Sequence, residues 1–206
     1  MPAVKGDGSS RSEADSRTRI LASARAQIER RGILGLRVAD VARGANTSIT
    51  LIYRHFTDRD GLLAAVLGDI YDERAVYWES IVQGWEGRAV SYDDLVAVMP
   101  SPDDPSAHRT RVLSLQILAT AMNNPELKSR VDATTHRLHA AVQRGVELIR
   151  EQSGERNPLD ARIYALMLLM FNTMFVSNDA LGGHRISDAE YRGFLRHFFA
   201  RYDAPG

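Results

Sequence analysis

The chain reads as an all-α protein, on three observations. Apolar residues recur at helical spacing, and cap and stop signals bracket those runs. No stretch keeps period-two alternation, and no Asn-Gly hairpin turn occurs. The elements follow in chain order. Residues 1–12 read as a disordered arm. A first helix runs from Glu13 to Arg31 on the stripe Ile20, Leu21, Ala24 and Ile28, and Gly32 ends it. A short helix near Val38–Gly44 carries Val38, Val41, Ala42 and Ala45 on one face. Asn46 then supplies the left-handed residue of a tight turn, and Ser48 caps a helix ending near Phe56. Thr57 and Asp60 predict a capping-box-like start for a long helix through Leu62, Leu63, Val66, Leu67 and Ile70 to beyond Trp78. Further starts are read at Ser91 with Asp94, at Ser101, Pro102 and Asp104, at Asn124-Pro125-Glu126, at Asn157-Pro158 and at Ser187 with Glu190. Gly84 and Gly87, Pro100, and Gly182-Gly183 are the breaks, and Tyr191, Phe194, Leu195, Phe198 and Tyr202 form the last stripe.

Composition bounds the function. The 206 residues are 44% hydrophobic and 25% charged, ordinary for one large domain or a small one plus a medium one. The absence of Cys excludes disulfides, thiolate metal sites and a Cys nucleophile, and suits a reducing cytosol. The polar first twenty residues carry no secretory signal. The longest apolar stretch, Ile163 to Phe171, is about half the ~20 residues a membrane span needs. The expectation is a cytoplasmic protein with no membrane contact. The net charge of zero hides an asymmetry: residues 1–66 hold 11 Lys/Arg against 7 Asp/Glu, and the remainder balances that +4 with −4. A basic end on an acidic body points to a polyanion partner.

Two short helices joined by a tight turn, the second exposing polar and basic groups, make a helix-turn-helix. On the second helix, Ile52 and Phe56 are four apart and face inward, against Val41 and Ala45. Thr50, Leu51, Arg54 and, at the flank, Tyr53 then face outward. Thr47 and Ser48 sit where free amides meet a phosphate, and His55 and Arg59 lie at the far side for backbone contacts. Ile49 is apolar and reads equally as packing or as a base contact.

At these residues the chain resembles the TetR family. The match runs from Thr18-Arg19-Ile20-Leu21 through Gly32, Val38, Asp40-Val41-Ala42, Ala45, Ser48, Tyr53, His55-Phe56 and Arg59 to Leu62. The resemblance implies that Tyr53, His55 and Arg59 bind phosphates; Arg59 stands where the family usually has Lys, and a guanidinium keeps that role. Asn46 and Thr47 replace a usual Gly and Val. Arg37 stands where Thr often caps the helix, losing a cap worth roughly 1 kcal/mol but offering a phosphate contact. Leu51 replaces a frequent Thr and is placed for a thymine methyl.

The resemblance further implies a helix-turn-helix DNA-binding domain over 13–60 and a ligand-binding and dimerisation domain over 61–206. The implied partners are a double-stranded operator, a small-molecule effector and a second copy joined through the last two helices. The helix from 158 to 181 is apolar nearly all round, which predicts burial on every side. Trp78, Trp85, Met99, Met122, Met167, Phe171 and Met174 suit an apolar cleft, with Gln116, Asn123 and Asn172 as polar anchors; a plain core explains the same large side chains. His136 and His139 share a helix face without a third ligand, so no metal or other cofactor is expected. No phosphate loop, nucleophile elbow or two-His metal motif occurs, so the chain is not read as an enzyme. The expected function is a transcriptional repressor, released from a palindrome by a small, largely apolar ligand. The alternative is a DNA-binding dimer without inducer, controlled by a protein partner.

Overall fold

The computed structural model describes residues 7–153, 160–180 and 185–200. Among them are nine α-helices, one 3-10 turn and no strand. In order they are α1 (Asp7–Arg31), the 3-10 turn (Ile33–Gly35), α2 (Val38–Gly44), α3 (Ile49–Phe56), α4 (Arg59–Trp85), α5 (Tyr92–Val98), α6 (Pro105–Ala121), α7 (Pro125–Ser153), α8 (Ala161–Ala180) and α9 (Asp188–Ala200). The helix expected from Glu13 begins at Asp7, because extending a helix already anchored at Ile20 costs only propagation. Residues 1–6 of the expected arm, the signals at Asn157-Pro158 and Gly182-Gly183, and Tyr202 lie outside the described residues. No described helix is long and apolar enough to cross a membrane.

The chain divides into two compact units, 1–70 with 116–131, and 71–115 with 132–206. In the first, α1, α2 and α3 enclose Ile20, Ala24, Ile28, Val41, Ile52 and Phe56. The turn between α2 and α3 follows from Asn46, whose φ is 50°. Its N–H donates to Arg43 O at 3.2 Å and the Thr47 N–H to Ala42 O at 2.9 Å, the paired bonds of a Schellman end. Asn46→Val is therefore expected to lower stability by about 1–2 kcal/mol, the left-handed cost of a residue that cannot tolerate the turn. Asn46→Gly is expected not to, and urea unfolding of both variants checks it.

The junction of α3 and α4 departs from expectation. Thr57 sits at φ 62°, ψ −57°, a strained γ-turn, and the Asp58 N–H donates to Phe56 O at 2.6 Å. The expected Thr57–Asp60 box does not form, since a cap residue must be extended and Thr57 is not. Asp58 takes the role, its Oδ1 accepting from the Gly61 N–H at 2.7 Å. The α6–α7 corner belongs to this unit as well. Asn124 Oδ1 caps α7 through the Leu127 N–H, while its Nδ2 donates to Asp60 O, both at 3.0 Å. Arg130 donates to Ala65 O and to Asp69 Oδ1, each at 2.9 Å.

The second unit is built on an aromatic and aliphatic core from α4, α5, α7, α8 and α9. Tyr92 and Phe199 stack at 4.5 Å between ring centroids. The boxes read at Ser91 with Asp94 and at Ser187 with Glu190 both form, each with a backbone N–H to carboxylate bond of 2.9 Å. Arg192 of α9 staples the end of α5 by donating to Val96 O and Met99 O while pairing with Asp188. The expected burial of the 158–181 helix on every side does not hold within one chain. Tyr164 and Leu168 of α8 are buried, but Ile163, Leu166, Met167, Met170 and Met174 form an exposed stripe. Their spacing places them together along one side of the helix.

Candidate nucleic-acid interface

The local chain dictates how α3 is presented. Ser48 is extended at φ −94° and its Oγ accepts from the Leu51 N–H at 3.1 Å, which starts the helix. Ile52 and Phe56, four residues apart, then anchor it, at 0% and 5% exposure. Arg17 of α1 adds a clasp, its guanidinium 5.3 Å from the centre of the Phe56 ring. With that side fixed, Ile49, Thr50, Tyr53 and Arg54 are exposed, and Thr47, Leu51 and His55 are partly exposed. Tyr53 shows 41% of its surface, a large amphipathic side chain left in water.

The basic groups around α3 differ in how firmly they are held. Arg54 reaches Glu13 Oε1 at 3.3 Å, an exposed pair worth about 0–1 kcal/mol and so easily exchanged for a phosphate. Arg59 is 3.8 Å from Asp60 and Arg37 is exposed at the start of α2. Arg37 makes no side-chain cap, as expected; its own N–H instead meets Gln27 Oε1 at 3.4 Å. The one acid of α2, Asp40, is neutralised by two partners. The Arg31 hydrogen bond, with the charge of Arg43 behind it, holds its carboxyl below the usual carboxylate range. The His55 Nε2 is enclosed and has no hydrogen-bond partner among the described residues.

All ten residues read as DNA contacts thus fall in the first unit, Arg37 at the start of α2 and the other nine on α3 and its two flanks. The ten read as ligand contacts do not come together in the same way. Trp78, Trp85 and Met99 are buried in the core of the second unit. Met167, Phe171, Asn172 and Met174 lie on α8, where Asn172 Oδ1 is buried with no partner among the described residues. Gln116, Met122 and Asn123 belong to the first unit and are exposed, Met122 at 82%. Glu13, the partner of Arg54, was not foreseen; it is 41 residues away and carries no local signal.

Residues 20–66 match the profile of bacterial regulatory proteins of the tetR family. No curated protein sequence matches the chain. Among solved structures, a protein assigned as a TetR-family transcriptional regulator from Rhodococcus sp. is 25% identical, with a TM-score of 0.65, over 93% of this chain and all of its own. A protein assigned as a transcriptional regulator from Saccharomonospora viridis, in complex with choline, is 22% identical with a TM-score of 0.70 over 91% of this chain and 96% of its own. One from Mesorhizobium loti, assigned to the TetR family, is 20% identical with a TM-score of 0.68 over 92% and 98%. The exposed helix on its helix-turn-helix scaffold and the matched profile agree: residues 20–66 form a DNA-binding region of the kind found in bacterial regulatory proteins of the tetR family, on a chain whose fold is similar to that of TetR-family transcriptional regulators.

Proposed function

We propose that the protein is a homodimeric repressor that leaves a palindromic operator when a small effector binds its second unit. One observation carries the reading: a capped, two-point-anchored α3 turns Thr50, Tyr53 and Arg54 to solvent, in the same unit as Arg37 and Arg59. In this reading α3 enters the major groove. Ser48, Tyr53, Arg54, Arg59 and Arg37 fix its register on phosphates, and Thr50 and Leu51 meet base edges. Thr47, Ile49 and His55 complete the contact.

A second copy would supply the other half-site. The α8 stripe, continued by exposed Phe194 on α9, is an apolar surface of the kind that soluble chains cover. A two-fold pairing places the same stripe against itself. Two recognition helices set about one DNA turn apart, roughly 34–36 Å, then read the two halves of a palindrome. An effector that prefers a dimer of different spacing lowers DNA affinity by the same coupling factor. That the Saccharomonospora viridis protein of this fold was solved in complex with choline supports a small-molecule effector. Within the first unit, Asn124 and Arg130 tie the α6–α7 corner to the start of α4, so a moved corner pulls on the helix that follows α3.

The test is selection of genomic fragments by the purified protein at physiological salt. A palindrome whose half-sites are one turn apart is expected; enrichment of salt-sensitive, sequence-independent fragments alone sinks the reading. The half-site is further expected to contain T opposite Leu51. Leu51→Ala should relax preference there by about 1 kcal/mol or more, and an unchanged preference shows that Leu51 reads nothing.

A further inference from the structure

The start of α1 is seated beside α3. Glu13, Arg17 and Ile20 follow one another at helical spacing and share one side of α1. Ile20 is fully buried, and the Arg17 guanidinium is 5.3 Å from the centre of the Phe56 ring. One turn before Arg17, Glu13 Oε1 accepts from Arg54 Nη2 at 3.3 Å. The Glu13 carboxylate is thus carried to α3 on a helix, not on a loop.

Arg54 is four residues after Thr50, so the two share the exposed side of α3, opposite the buried Ile52 and Phe56. Its side chain is 70% exposed, and that of Glu13 is 49% exposed. Other acids of the first unit are held elsewhere. Asp40 lies between Arg31 and Arg43, Asp58 accepts from the Gly61 N–H, and Asp69 meets Arg130. Among the described residues, Glu13 is the one acid paired with a residue of α3. It also precedes residues 20–66, so the matched profile assigns it nothing.

A carboxylate and a phosphate compete for the same guanidinium donors. Arg54 must release one to take the other, and a single exposed contact releases readily. The freed carboxylate then stays on α1, within a Debye length of the incoming phosphate, about 8 Å at physiological ionic strength. There it repels the backbone. We propose that Glu13 is an intramolecular competitor of the DNA backbone, occupying Arg54 in the free protein and lowering its affinity for DNA. The effect is the same on every duplex, since it opposes a phosphate contact and no base contact. The inference rests on the reading above, in which α3 meets DNA and Arg54 takes a phosphate.

The experiment titrates full-length wild type, Glu13→Gln, Arg54→Met and the double variant with one random-sequence duplex, from about 50 to 200 mM salt. Glutamine keeps the length and helix propensity of glutamate and removes the charge; circular dichroism checks that helicity is equal. Glu13→Gln should bind about threefold to tenfold more tightly than wild type. Its plot of log affinity against log salt should be steeper by about one, as one more phosphate is neutralised. Arg54→Met should bind more weakly than wild type, and on that background Glu13→Gln should gain less than about twofold. The inference is overturned if Glu13→Gln binds no more tightly than wild type. It is also overturned if the gain is the same without Arg54, for then Glu13 acts only as a distant charge. Arg54→Met binding as wild type does would overturn it too, while leaving the other contacts of α3 standing. A wild type with no affinity for the duplex even at low salt would instead overturn the reading of α3 itself.

Discussion

Met170→Asp is expected to split the dimer into monomers and to weaken operator binding by about 100-fold or more. Met170 sits in the middle of the exposed α8 stripe, between Ile163, Leu166 and Met167 on one side and Met174 on the other, and is itself 50% exposed. A two-fold interface buries every substitution twice. Two carboxylates without partners then cost several kcal/mol each, and every 1.4 kcal/mol is about tenfold in affinity. A monomer reads one half-site only, so its grip on the palindrome falls with the dimer. The fold of the single chain should survive, because the side chain is in water there. Sedimentation and circular dichroism separate the two effects: a monomer with unchanged helicity is expected. A Met170→Asp protein that remains dimeric places the interface elsewhere.

Gly61→Ala is expected to lower stability by about 2–3 kcal/mol, the cost of a strained backbone or an overpacked site. A Cβ at this position would lie 2.1 Å from Phe56 O and 3.2 Å from Phe56 C. Those are backbone atoms, and the γ-turn at Thr57 holds them in place. Relief therefore requires moving the end of α3, so DNA affinity should fall together with stability. Thr57→Gly should act in the opposite direction by about 1 kcal/mol, since Gly adopts positive φ freely. Urea unfolding of both variants reads this, and an unaltered midpoint for Gly61→Ala would contradict the close approach.

What was legible in the sequence was local. Asn46, Ser48, Ile52 and Phe56 could be placed because a left-handed turn residue, a cap and a four-residue repeat each act within one or two helical turns. The capping boxes at Ser91 and Ser187 were readable for the same reason. Thr57 misled because its spacing to Asp60 fits a box, while its conformation is decided by the Phe56 carbonyl and Gly61 crowding the same turn. Long-range partners left no trace: Glu13 with Arg54, and Asn124 with Asp60, are 41 and 64 residues apart. The candidate ligand contacts were chosen for size and flexibility, and those properties do not separate core residues such as Trp85 and Met99 from exposed Met122.

Whether α3 reads DNA sequence is decided by the affinity of wild type and Tyr53→Ala for the selected palindrome and for a scrambled duplex of equal length, over a range of salt. Wild type is expected to prefer the palindrome by about 1,000-fold or more at physiological salt. Tyr53→Ala, its fold intact, is expected to bind the palindrome at least about tenfold more weakly because a positioning contact is lost. Equal wild-type affinity for both duplexes, or a Tyr53→Ala protein indistinguishable from wild type, would contradict sequence reading by α3.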